Sequence, residues 1–433
     1  MAAATMISAE MFEVMAPVLY LSRVFGLQPL KWKRGDYNYV IEKSHAYVAY
    51  SNIVVVFFVS ASIYGLSQVY QLDLIYLIRI GNSTHRYVTF SDVGVVLIPS
   101  VLSVVITSLK IDKYVRYFDY LRKCDGVLQK QPFRTWRHGL VIYTTIFFTA
   151  GILVVDMVMW INLASKEQNA YILFGYFFPY YVCYCFTIVV ELVYWQNVHA
   201  IMRRLIWLNE KLAEVAEEMN NDILFMRIDR KKISNVVDTL NADNLKKQEQ
   251  KKSGKYERWA YSDLSMWMHL VVLSLEQIQD LISAYQRLTD ATNSINDCFG
   301  LIILIILLGC LIHLLVTPYA LYAIIFTTGN SMFIVSQSIW MTGHVLRLFL
   351  IVEPCHGCLI EIKKTTAMVC KLLCLPSKKE VRKSLEFFLD YLAQCRIEFS
   401  AFGLTKIHRG LLTTIAGAVT TYLVILFQFN RNC

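Results

Sequence analysis

Gln337, Trp340, Met341 and His344 recur at the i, i+3, i+4, i+7 spacing that places side chains on one helix face. An indole with an amide and an imidazole beside it is a recognition set for a small polar ring. Aromatic faces take its CH-rich surface, while amides, hydroxyls and carboxylates meet its hydroxyls. The sequence offers further groups of these kinds in Thr317-Pro318-Tyr319, in Asp92, in Asp156 with Trp160, and in Tyr180, Tyr181 and Tyr184 after Pro179. Each also has a plainer reading. Trp160 and the tyrosines suit an interfacial aromatic belt. His344 suits a core histidine bonded to a neighbouring helix, Asp92 a helix cap, and Asp156 a structural hydrogen bond. Gln337 with Trp340 is the pair on which a ligand reading rests.

A second constellation closes the chain. At about 100° per residue, Thr414, Thr421 and Gln428 fall within about 40° of one another, with Gly417, Val424 and Ile425 beside them. Polar groups facing lipid are costly, so this stripe faces protein or water. Helix packing is one reading, since Thr, Gly and Ala are common in such contacts. The wall of a pore gated by an apolar constriction is the other. One helix lines a pore only when copies surround an axis, which implies a cyclic homo-oligomer.

No catalytic constellation accompanies these residues. The sequence has no GxxxxGK[ST], no HExxH, no GxSxG and no GxGxxG after a strand, so neither an enzyme nor a cofactor is expected. Cys355-His356-Gly357-Cys358 has a zinc-ligand spacing, but Cys370 and Cys374 sit four apart, as on a helix. Free or palmitoylated thiols are expected there, without a metal.

The elements that position these groups are read from hydropathy. The chain is 56% hydrophobic and 17% charged, with mean hydropathy +0.44, which is a membrane composition. Seven apolar windows stand out, near 47–67, 88–109, 138–163, 170–197, 298–316, 331–351 and 410–429. No signal peptide is recognisable at the N-terminus. With the N-terminus in the cytosol and the windows alternating, 38 of the 42 Lys and Arg lie inside. Such one-sidedness orients the chain, with the C-terminus extracellular, and net charge +9 then reports topology and not nucleic-acid binding. The sequon Asn82-Ser83-Thr84 falls in the first outside loop, so Asn82 is a candidate glycan site.

The layout is then a cytosolic segment 1–46, helices one to four over 47–197, and a cytosolic loop 198–293 with helical extensions. That loop includes a charged, aperiodic and structureless stretch near 241–257. Helices five and six follow over 294–351, then a cytosolic anchor with a re-entry helix over 352–409, and the last helix with a short tail over 410–433. Apolar residues recur at steps of three and four at Val271, Leu275, Ile278, Ile282 and Tyr285. They do so again at Val381, Leu385, Phe388, Leu392, Cys395, Phe399 and Phe402. Such stripes pack a bundle within one chain or join subunits. The second leads straight into the final span, so subunit joining is the expectation.

Thr421-Tyr422, five apolar residues and Gln428-Phe429 resemble the signature closing the last helix of insect gustatory receptors. The seven-span layout with its long second inside loop is similar to that family throughout, and Gly343–Gly357 ("GHVLRLFLIVEPCHG") resembles its fructose-sensing branch. The resemblance implies an all-α membrane protein of the insect chemoreceptor channel fold. It implies a homotetrameric, non-selective cation channel of the plasma membrane, opened by a monosaccharide, with lipid around it and the last helices around a central pore. It further implies that Gln428 lines the pore and that Ile425 and Phe429 form its gate. For the sugar it implies contacts such as Gln337, Trp340, Thr317 and Tyr319 in the outer halves of helices one to six. A solute transporter, a receptor for a non-sugar tastant and a receptor coupled to a cytosolic partner are the rival readings.

Orientation is testable directly. Tags at the two ends of the chain label from opposite sides of intact cells, the C-terminal one from outside. A C-terminal tag reached only after permeabilisation contradicts both the topology and the pore.

Overall fold

The computed structural model describes residues 4–36, 38–71, 83–130, 136–164, 170–242, 249–327 and 331–431. Strand β1 (Ala4–Ser8) leads into α1 (Ala9–Val24), followed by β2 (Leu30–Arg34) and β3 (Asn38–Lys43). The long helices are α2 (His45–Gln71), α3 (Ser83–Leu128), α4 (Trp136–Ala164), α5 (Ala170–Ala242), α6 (Glu249–Thr327) and α7 (Ser331–Leu373). A short helix α8 (Lys379–Gln394), strands β4 (Ser400–Ala401) and β5 (Thr405–Lys406), and helix α9 (Arg409–Arg431) complete the chain.

The molecule is a helical membrane protein, with two corrections to the all-α expectation. β1 and β2 pair antiparallel with β3 between them, and β4 pairs with β5. In the first sheet Ile7, Leu30 and Ile41 are buried while Lys31 and Lys33 point out, a period-two pattern too short to stand out beside long apolar windows. Ser8 caps α1, its Oγ accepting from the Met11 amide at 3.2 Å.

Among the described residues, five helices are long and apolar enough to cross a bilayer: His45–Gln68, Val93–Leu128, His138–Met159, Phe174–Asn221 and Leu275–Pro318. α7 carries Gln337, His344 and Arg347 through its apolar stretch, and the described apolar part of α9 runs from Arg409 to Ile425. At 73 residues α5 is about 110 Å long, several times the hydrocarbon thickness, so it continues well beyond a bilayer. The stretch near 241–257, expected to be structureless, is helical up to Ala242 and again from Glu249. Its Lys, Gln and Glu residues are good helix formers, and helix extends into it from both sides. Residues 243–248 lie outside the described residues.

α5 is the axle of the bundle, packing on α1, α2, α3, α4, α6 and α7. It is buried almost continuously from Tyr181 to Val198, as a helix apolar on all sides must be. At the end of that stretch and beyond it, its polar groups are met by partners. Arg204 grips Asp125 of α3 through Nε at 2.7 Å and Nη2 at 2.6 Å. Asn197 Nδ2 donates to the Tyr114 hydroxyl at 3.1 Å, and Gln28 Nε2 donates to the same oxygen at 3.0 Å.

The helical part of the second apolar stripe packs within its own chain, where subunit joining was the expectation. Val381, Leu385, Phe388 and Leu392 are buried within the chain, with the Phe388 ring 5.9 Å from Tyr285 of α6. The stripe stops where Phe402 adopts a left-handed backbone (φ 53°) and points out, 56% exposed. A short helix leaving the bundle would strand its apolar face in water, so α8 folds back onto α6 and α7.

Among the described glycines, the closest approach to another backbone is at Gly65, where α2 meets α5. A Cβ on Gly65 would stand 2.4 Å from the carbonyl oxygen of Tyr176. Gly65→Val therefore forces the helices apart and lowers stability by about 1–3 kcal/mol. Gly126→Ala, with nothing within 4 Å, gains up to about 1 kcal/mol of helix propensity. Thermal melting of the detergent-solubilised protein distinguishes them, and equal melting temperatures refute the close contact.

Candidate functional site

α7 brings the polar residues of the bundle together. Ser336 and Trp340, one turn apart, point at Asp156 of α4. Asp156 Oδ1 accepts from Ser336 Oγ at 3.0 Å and from Trp340 Nε1 at 2.9 Å, while Oδ2 accepts from the Tyr181 hydroxyl of α5. A carboxylate that is 7% exposed is thus met by three donors from two helices. This is how a polar group survives in an apolar bundle.

Aromatic contacts extend the cluster inward. Tyr184 meets the Trp340 ring edge-on, centroids 5.0 Å apart at 81°. His344 lies 5.9 Å from Trp340 on one side and stacks on His313 of α6 at 4.1 Å and 11° on the other. Two turns along α7 from Trp340, Arg347 is clamped by Glu191 of α5. Its Nη2 and Nε reach Oε1 at 2.6 and 2.9 Å. Its Nη1 donates to the Tyr184 hydroxyl at 3.3 Å. Tyr184 therefore touches both polar centres.

Beside Arg347 a cavity of about 300 Å³ opens between α4, α5 and α7. Thr144, Thr145, Phe148, Thr149 and Ile152 line it from α4, Tyr184 and Ile188 from α5, and Gly343, Leu346, Arg347 and Leu350 from α7. Its volume is at the lower bound for small-molecule sites, and its wall mixes apolar groups with a few hydroxyls.

Of the residues singled out in the sequence, the structure gathers Asp156, Tyr184, Trp340 and His344 into one cluster. Tyr184 alone of these lines the cavity. Gln337 is half-buried beside Ser336 and makes no side-chain hydrogen bond to the described residues. Thr317 is buried on α6, and Tyr180 is half-buried with its ring 6.0 Å from Tyr181. Asn82 lies outside the described residues, as do the side chains of Asp92, Trp160, Tyr319 and Phe429. Cys355 and Cys358 are buried and Cys370 and Cys374 exposed, with no metal-binding group of three or more among the described residues. Two central residues escaped the sequence reading. Glu191 stands inside the fourth apolar window and is 0% exposed. The rule that flags Asp156, an acidic residue within a span, flags Glu191 equally. Arg347, a basic residue inside the sixth apolar window, is its buried partner.

α9 is arranged differently. Ile415 is buried and Leu411, Leu412 and Val419 pack on the core, so this side meets α6 and α7. Thr414, Gly417, Thr421, Val424, Ile425 and Gln428 are all exposed on the side that the chain leaves uncovered. The hydroxyls of Thr414 and Thr421 donate to their own helix, to Gly410 O at 3.0 Å and Gly417 O at 2.9 Å.

The 7tm Chemosensory receptor family matches residues 15–431. The Drosophila melanogaster protein named gustatory receptor for sugar taste 43a is 26% identical over 425 residues, 96% of this chain and 97% of its own. Putative gustatory receptor 28b of the same species is 30% identical over 166 residues, 36% of this chain and 35% of its own. The structure of the olfactory receptor OR5 from Machilis hrabei superimposes with TM-score 0.61 at 10% identity, covering 97% of this chain and 98% of that one. That likeness is one of fold.

The Glu191–Arg347 pair yields a stability test. Arg347→Met strands a buried carboxylate and costs about 3–5 kcal/mol, whereas adding Glu191→Leu removes the stranded charge and recovers most of the loss. Melting in detergent reads both variants. A single variant as stable as the wild type, or a double variant no better than the single, contradicts the pairing.

Proposed function

The chain belongs to the 7tm chemosensory receptor family, and from that premise we propose that it is a sugar-gated cation channel of taste, most specifically for D-fructose. It is a multi-pass plasma-membrane receptor and not an enzyme. In this reading seven helices cross the bilayer, α2 to α7 and α9, with the N-terminus cytosolic and the C-terminus outside. Four copies assemble around α9.

The observation that carries the channel reading is α9. Its hydroxyl and amide stripe is turned away from its own chain, a surface that suits water or further copies. Around a fourfold axis Gln428 faces permeating cations, and Ile425 with Phe429 forms the constriction. The sugar is supported by the end-to-end match to a receptor named for sugar taste. The α7 pair adds to it: Trp340 offers an indole held in place by Asp156, and Gln337 beside it has an amide that no described residue engages. A preorganised aromatic surface next to an open amide suits a hydroxylated ring.

Whole-cell recording across a sugar panel, with labelled sugar uptake in the same cells, tests the reading. D-fructose evokes a cation current without uptake; uptake without current identifies a transporter instead. Gln337→Ala and Trp340→Ala each raise the half-maximal sugar concentration by about tenfold, near 1.4 kcal/mol, at unchanged surface expression. Two unshifted curves move the ligand elsewhere. At the gate, Ile425→Ser wets the constriction and raises current without sugar. Thr421→Cys reacts with water-soluble thiol reagents faster than Leu423→Cys, and the reverse order makes the stripe a packing surface.

A further inference from the structure

α9 touches the rest of its own chain through apolar packing and, among the described residues, one polar contact between helices. Arg409, its first residue, donates through Nε to Glu353 Oε1 at 2.9 Å and through Nη2 to Oε2 at 2.8 Å. The pair is bidentate, the strongest carboxylate geometry an arginine makes. Arg409 holds the Glu353 carboxyl below its usual range by that hydrogen bonding.

Two features set this pair apart from an ordinary surface ion pair. Helix N-termini carry partial positive charge and favour anions, so a cation at the first position of α9 works against its own helix. A residue that breaks a local rule is kept for something other than the local element. Glu353 also precedes Pro354, which lies inside α7 and removes one of its hydrogen bonds. The carboxylate thus sits where α7 bends most readily. Its helix also carries Trp340 and Arg347, so α7 runs unbroken from the candidate ligand site to the root of α9.

We propose that the Glu353–Arg409 pair is the coupling element through which movement of α7 is delivered to α9. Glu353 and Arg409 are positioning residues: they touch neither ligand nor ion, and they tie the foot of the pore helix to the helix that holds the ligand. The inference rests on the sugar-gated channel reading and assigns its transmission step. Apolar contacts let helices slide, whereas a bidentate pair fixes direction, so a displacement of α7 at this level carries α9 with it.

The test uses the full chain in cells, with D-fructose as the ligand. At saturating sugar, Arg409→Glu and Glu353→Arg each lower peak current per surface receptor by about fivefold or more while every receptor still binds sugar. The double variant, which restores the pair with its charges exchanged, returns most of the current. Glu353→Gln, nearly isosteric, gives an intermediate loss and guards against a folding defect, as does surface biotinylation of every variant. Single variants with wild-type current, or a double variant as weak as the singles, overturn the proposal. Should the wild type carry no sugar current, the channel reading fails on its own, and the coupling is read from the thiol-modification rate of Thr421→Cys. Arg409→Glu changes that rate and the exchange restores it; an unchanged rate overturns the coupling.

Discussion

A guanidinium inside an apolar bundle is tolerable only while a carboxylate meets it, and Arg347 is met by Glu191 across the α5–α7 contact. This pair sets the rotation of α7. A turn of one residue about the helix axis, about 100°, would carry Arg347 away from Glu191 and leave both charges buried alone. The same turn would pull Trp340 and Ser336 off Asp156. Two polar centres two turns apart therefore enforce one register, and slippage that a purely apolar helix would permit is closed to α7.

The register explains why α7 is so polar for a helix in a membrane. Ser336, Trp340, His344, Arg347 and Glu353 recur at three to six residues and reach four other elements: the first two share Asp156 of α4, and the others meet α6, α5 and α9. The helix works as a rod with lateral struts. Tyr184 joins two of the struts, since its ring meets Trp340 and its hydroxyl meets Arg347. A group that displaces Trp340 is felt at Arg347 through one side chain. The cavity lies along this connection, its floor formed by the same Tyr184 and Arg347.

Much of this was legible in the sequence, for reasons that differ by residue. Apolar windows marked the helices because lipid demands long apolar runs. Asp156 was visible because a carboxylate in a span is costly. Trp340 and His344 were visible through helical spacing. Glu191 obeys the rule that exposed Asp156 and was equally legible as a carboxylate in a span; what the sequence hid is its partner, Arg347, 156 residues away. Pairing over such a distance leaves no periodic trace. The small sheets at Ala4–Lys43 were hidden by their brevity. The stripe on α8 was legible as apolar but not as to its partner, since a spacing of three and four is the same whether the partner is one's own α6 or another subunit.

α9 poses the reverse problem. The other long helices are covered by their own chain on at least one side and turn large apolar residues outward on the rest: Phe147 on α4 is 81% exposed and Leu308 on α6 53%. α9 turns threonines and a glutamine outward. The threonine hydroxyls are met by their own helix, but the Gln428 amide has no such partner among the described residues and is costly to leave in hydrocarbon. Copies arranged head to tail around an axis relieve that cost, because the ring closes and the stripes then face one another across a shared interior. Weakly polar side chains such as Thr414 and Thr421, with hydroxyls already bonded to their own helix, would neither bind a cation tightly nor exclude it by charge. Conduction needs such a lining, favourable enough to enter and weak enough to leave. The stripe that one chain leaves open thus agrees with the assembly proposed above, and its chemistry suits passage more than binding.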